Sequence, residues 1–129
     1  MNRLVRNSIG LFLLLAVSFS YGQKEYPVKW MAGVEQNSAG EATLVFTANI
    51  QKGWHIYSQF TPDGGPQQTV FSYSNSKNFE LKGKTTEPKP DEAFDKDFGV
   101  KVMSFTGNPV FRQKIKVTSK ARFTIPIKN

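Results

Sequence analysis

The 129-residue chain contains no cysteine. Without a thiolate there is no disulfide framework, no sulfur nucleophile, no iron–sulfur ligation and no cysteine-bound zinc. Histidine occurs once, at His55, so a metal site built from several histidines of this chain is excluded too. Long apolar runs are also missing, and nothing after the first residues approaches the length of a membrane-spanning helix. Apolar residues do not recur at helical spacing over a useful length. What is present is aromatic: eleven Phe, four Tyr and two Trp in a chain that is 39% hydrophobic and 21% charged. That is enough apolar mass for one core and unlike the composition of a disordered chain. No cofactor and no metal are expected.

Residues 1–22 read as a cleaved secretory signal. Arg3 and Arg6 precede a short apolar stretch over residues 9–17, and the small residues Ser20 and Gly22 stand before a cut at Gln23. No cysteine follows the stretch, so lipid attachment there is not available. The expected mature chain, residues 23–129, is one exported domain with no membrane span. The formal charge of the whole chain is +7. It is unevenly spread: Asp91, Glu92, Asp95 and Asp97 cluster, and beyond them come only basic side chains. Such a basic strand face could meet nucleic acid or anionic lipid, but scattered lysines without a binding motif read as a solvated strand face. No nucleic-acid partner is expected.

The mature chain alternates with period two, the mark of strands with one face in and one face out. Val28, Trp30, Ala32 and Val34 alternate with Lys29, Met31, Gly33 and Glu35. After a turn at residues 37–40, Ala42, Leu44, Phe46, Ala48 and Ile50 alternate with mostly polar residues, the clearest strand in the sequence. Further strands are expected at residues 54–59, 69–73, 79–83, 100–106, 111–117 and 123–127. Thr61-Pro62-Asp63-Gly64-Gly65-Pro66 must be a tight loop. Residues 84–98, with Pro88 and Pro90 among acids, read as a long loop. About eight short strands at this spacing predict an all-β antiparallel sandwich.

Few residues could carry chemistry. His55 would need a nucleophile and an orienting carboxylate within hydrogen-bond reach to act as a base, and only Ser58 is near in sequence. A hydrolase is therefore a remote class, and a packed strand histidine is the plainer reading. Trp54, Tyr57 and Phe60 could offer a stacking platform, although such aromatics commonly serve as core and rim packing. The acidic cluster lacks the ligand spacing of a calcium loop. Phe94 and Phe98 are the most conspicuous, because large apolar side chains in a polar segment either anchor a loop or bind a partner.

Gly53-Trp54-His55-Ile56-Tyr57-Ser58, the loop at residues 61–66, Phe79-Glu80-Leu81-Lys82-Gly83 and Phe94-Asp95-Lys96-Asp97-Phe98-Gly99-Val100, in this order, resemble the N-terminal periplasmic domain of the thiol:disulfide interchange protein DsbD, in the version found in Bacteroidetes-type bacteria. The resemblance runs from Tyr26 to Ile125. It implies an immunoglobulin-like β-sandwich in the periplasm that takes reducing equivalents through a cysteine pair and passes them to oxidised proteins. It implies a periplasmic protein or thioredoxin-like domain as partner. It also implies an aromatic cap loop over the cysteine pair, here Phe94, Asp95, Phe98 and Gly99, with Phe98 as the capping ring; Trp54 and Tyr57 are candidate aromatic contacts on the reading of the residues alone.

The departure is the cysteine pair, which the family carries on a hairpin after the strand expected at residues 123–127. Thiol–disulfide exchange requires a thiolate to attack a sulfur, so the chain as written has no catalytic residue for that reaction. Two expectations follow: a domain incomplete at its C-terminal end, exposing apolar sheet edge and core face, or a divergent sandwich kept for thiol-independent binding of a protein or peptide. Pro126 leans toward the second, because proline suits a strand end or an edge.

Overall fold

The computed structural model describes residues 26–120 and 123–126; the expected signal at residues 1–22 and the end of the last expected strand, Ile127, lie outside the described residues. Seven strands and no helix occur among the described residues: β1 (Val28–Ser38), β2 (Glu41–Ile50), β3 (Ile56–Tyr57), β4 (Phe79–Thr86), β5 (Asp91–Asp95), β6 (Val100–Phe105) and β7 (Val110–Val117). They form a four-stranded sheet in the order β1-β2-β7-β4 and a three-stranded sheet in the order β3-β6-β5. Every pairing is antiparallel. The architecture is an all-β, immunoglobulin-like sandwich.

β2 forms as its alternation predicts. Ala42, Leu44, Ala48 and Ile50 are buried, and Phe46 between them packs into both halves of the core. On the adjacent β7, Phe111, Gln113 and Ile115 are buried while Arg112, Lys114 and Lys116 are exposed. Fully burying side chains such as Phe111 and Ile115 contributes about 1.5–3 kcal/mol each. The two halves of the core are closed differently. Around Ala48, Ile50 and Phe111 the lid is the second sheet, through Phe105 and Ile56, together with Phe71. Around Ala42, Leu44, Phe79 and Ile115 it is irregular chain, through Tyr73, Phe123 and Ile125.

Several sequence expectations are corrected. Residues 69–73 and 123–126 form no ladder; they are extended chain laid over the inner face. Phe71 packs against Trp30 and Phe111, and the Phe123 ring stacks on Phe79 with centroids 6.3 Å apart. Residues 54–59 shrink to the two-residue β3, because Trp54 N–H closes a turn on Gln51 O and Thr61 N–H another on Ser58 O. The strand expected at 79–83 continues to Thr86, past an irregularity after Lys82. The expected long loop at residues 84–98 is instead the end of β4, a short proline-bearing link, strand β5 and a turn. β5 forms in spite of its acids because it pairs residue for residue with β6, from Asp91 opposite Ser104 to Asp95 opposite Val100.

Candidate partner-binding face

Phe94 is therefore a strand residue, not a loop residue. It lies on β5 opposite Lys101 and is 68% exposed. The alternation of β5 puts Glu92 on the same face, where its carboxylate meets the Lys101 ammonium at 2.7 Å. The hydrogen bond and the charge of Lys101 hold the Glu92 carboxyl below the usual carboxylate range.

The turn from β5 to β6 is built by Asp95. Its Oδ1 accepts the backbone N–H groups of Asp97 at 2.8 Å and Phe98 at 3.1 Å. Gly99 N–H donates to Asp95 O at 2.8 Å, and Gly99 takes φ +70°, a conformation that disfavours a side chain. An aspartate mimicking a backbone turn in this way fixes the next residues. Phe98, 48% exposed, is thus held at a braced hairpin tip without packing into the core. Asp95 positions, and Phe94 and Phe98 are presented.

Trp54 and Tyr57 stand elsewhere. Tyr57 is on β3, opposite Ser104 of β6, so the full width of the three-stranded sheet separates it from Phe94. Two strand spacings amount to about 10 Å. Trp54 is 47% exposed in the turn before β3. Among the described residues no ring contact joins either of them to Phe94 or Phe98; Tyr57 meets His55, edge to face, with Nε2 and the phenol oxygen 2.8 Å apart. The fold does not bring these two aromatics and the hairpin together as one face.

Ser58 does not serve His55. It is fully buried, its hydroxyl donates to Glu87 Oε1 at 2.9 Å, and it accepts Phe60 N–H at 3.0 Å. No substrate reaches a serine so placed. Nor do the acids gather into a metal site: among the described residues no group of three or more His, Asp or Glu is arranged to hold an ion. No helix among them is long and apolar enough to cross a membrane.

Two features beneath the face are not legible in the residue pattern. Glu87 ties the link before β5 to the chain after β3, through Ser58, Gln59 N–H at 3.1 Å and Gln59 Nε2 at 3.4 Å. Thr61, also fully buried, accepts Met103 N–H on Oγ1 at 3.0 Å, while Ser58 N–H donates to Met103 O at 2.9 Å. These bonds seat the loop at residues 61–66 against β6. There Gly65 is required by space, since a Cβ would lie 2.9 Å from Val100 Cγ2. The only signal in the sequence is the conjunction of glycines and prolines in that loop.

Fold and site together define a small antiparallel sandwich that displays aromatic side chains on a braced hairpin. The family model of the N-terminal domain of the thiol:disulfide interchange protein DsbD matches residues 24–128. The chain belongs to that family. No curated protein and no solved structure matches it.

Proposed function

We propose that this chain is a periplasmic docking domain of the DsbD amino-terminal type, exported with cleavage before Gln23, that engages a thioredoxin-like domain through Phe94 and Phe98. The family supports a place in thiol:disulfide interchange. The absence of any cysteine removes the thiolate that exchange needs, so any sulfur chemistry in the complex comes from the partner. The observation that carries the reading is the Asp95-braced turn, which holds Phe98 exposed where a flexible loop would bury it. Rigid aromatic side chains are common anchors of protein interfaces, because little entropy is lost in fixing them. The lack of cysteine among these residues also favours a second reading, a thiol-independent module that binds proteins or extended peptides.

The test is titration calorimetry with a reduced thioredoxin-like domain and, in parallel, with extended peptides. The docking reading expects saturable binding to the domain, weakened about tenfold or more by Phe98→Ala, as for an interface anchor. Domain binding that is indifferent to both Phe94→Ala and Phe98→Ala would sink it. Peptide binding alone would transfer the case to the second reading. The intact mass of the exported protein, with and without thiol alkylation, checks the cleavage site: no alkylation shift fits a thiol-free docking domain, and a heavier species that gains alkyl groups would return the exchange chemistry to residues beyond Asn129.

A further inference from the structure

Four strands end their sheets among the described residues, β1 and β4 in one and β3 and β5 in the other, and the β3 edge already receives Thr69 N–H on Tyr57 O. Natural sheets defend such edges with charge, proline, irregularity or brevity. Three of the four are defended. β4 carries Glu80, Lys82 and Lys84 and breaks register after Lys82. β5 carries three acids and follows Pro88 and Pro90. β3 has two residues. β1 is different: it is 11 residues long, has no proline, runs Trp30-Met31-Ala32-Gly33-Val34 without a charge between Lys29 and Glu35, and keeps regular register up to Gln36, its irregularity falling only at the end. Met31 and Val34 are 65% and 62% exposed. Its C-terminal half also borders a groove of about 600 Å³ on the inner face, lined by Val34, Gln36, Ala42, Ile115, Phe123 and Ile125.

The backbone of β1 points the right way for a new neighbour. Gln51 N–H donates to Pro27 O at 2.8 Å, and Ala48 and Ile50 N–H donate to the β7 side of β2. In an antiparallel ladder alternate residues face alternate neighbours. The odd-numbered residues of β1 thus bond to β2, and Val28, Trp30, Ala32, Val34 and Gln36 direct their N–H and C=O groups to the open edge.

We propose that β1 is a self-complementary edge, and that a second copy of this chain docks on it antiparallel about Ala32, joining the two four-stranded sheets into one. Charge decides the occupant and the register. Lys29 and Glu35 are equidistant from Ala32 and share the outward face of β1, and neither has an ion pair among the described residues. Centred on Ala32, Lys29 of each copy falls opposite Glu35 of the other. Centring on Met31 or Gly33 separates these charges, and a shift by one residue turns the inner face outward. The same register sets Ala32 against Ala32 as a doubly hydrogen-bonded pair. It also sets Trp30 of the second copy opposite the exposed Val34 beside the groove, an aromatic–β-branched pair of the kind that stabilises sheets. The contact is isologous and therefore closes as a two-fold dimer, not a fibre.

Sedimentation equilibrium of the purified exported protein, from Gln23 onward, over a concentration series tests this. The wild type should show a monomer–dimer equilibrium. Glu35→Lys or Lys29→Glu alone, which sets like charges opposite each other twice, should weaken the dimer about tenfold. Lys29→Glu with Glu35→Lys should restore it. Ala32→Pro removes only N–H groups aimed at the open edge, so it should give a monomer with an unchanged circular dichroism spectrum. A wild type that is monomeric at every concentration reached overturns the proposal. So does a dimer insensitive to the single reversals, or one that the double reversal fails to restore.

Discussion

Replacing Glu87 by alanine should cost about 3 kcal/mol of folding free energy, a figure that follows from what the carboxylate holds. Oε1 accepts the hydroxyl of Ser58 and the backbone N–H of Gln59, at 2.9 and 3.1 Å. Ser58 is fully buried, so its hydroxyl would lose its acceptor with no water at hand. Each stranded buried donor costs about 1–3 kcal/mol, and the less enclosed Gln59 N–H falls at the low end. Glu87→Gln separates the acceptor from the charge. It keeps an oxygen for Ser58 and Gln59 but loses charge-assisted strength. It also removes a half-buried carboxylate whose second oxygen, Oε2, is enclosed without a partner among the described residues. These effects oppose each other and should leave glutamine within about 1 kcal/mol of the wild type. The assay is urea unfolding followed by tryptophan fluorescence, since Trp30 packs on Phe71 and Phe111 and reports the core. A loss below about 0.5 kcal/mol for Glu87→Ala, the range of ordinary surface substitutions, would refute the reasoning. Glutamine costing as much as alanine would show that charge, not the acceptor, ties the two segments.

Two further outcomes are expected. Gly65→Ala should destabilise by about 1–3 kcal/mol, because its Cβ would press on Val100 Cγ2, and Val100→Ala in the same chain should recover part of the loss; an unchanged urea midpoint would contradict the tight contact. Lys101→Ala should raise the Glu92 carboxyl pKa toward the ordinary glutamate value, read by NMR titration of its side chain. Because folding depresses that pKa, the small contribution of the pair is present above the unfolded glutamate pKa and fades as pH falls through the folded one. A Glu92 titration unmoved by Lys101→Ala would contradict the pairing.

The strands that read most clearly are those whose two faces differ. In β7 the sheet's inner face is covered, so alternation in sequence becomes alternation in burial; in β2 the inner-face residues Ala42, Leu44, Ala48 and Ile50 are buried as expected, and Thr43 on the other face is buried as well. β5 was illegible because nothing local favours it: Asp91, Glu92 and Asp95 are poor strand formers. Its strand state comes from the ladder with β6 and the Glu92–Lys101 pair. Residues 69–73 show the converse. Thr69, Val70, Phe71 and Tyr73 have strand composition, yet only Thr69 N–H reaches a neighbouring strand, at Tyr57 O of β3, and no ladder follows from it. Its inward rings pack all the same, which is why the pattern was right about burial and wrong about hydrogen bonding.

The site divided in the same way. That Phe94 and Phe98 stand out in an acidic segment was visible in the residues; that Asp95 braces the turn beneath Phe98 needed its Oδ1 placed against two backbone N–H groups. Trp54 and Tyr57 are near in sequence to the buried Ser58, but the order β3-β6-β5 sends them to the far edge from the hairpin.

By itself the sequence determined the class of fold, the aromatic core and the lack of a thiol among these residues, because composition and period two depend only on which side chains occur and in what order. Tertiary structure alone decided which extended segments became strands, which polar groups went inside, Ser58, Thr61 and Gln113 among them, and which edge was left open. Those outcomes depend on a partner distant in the chain. A backbone hydrogen bond has two ends, and the sequence near one end does not say where the other lies.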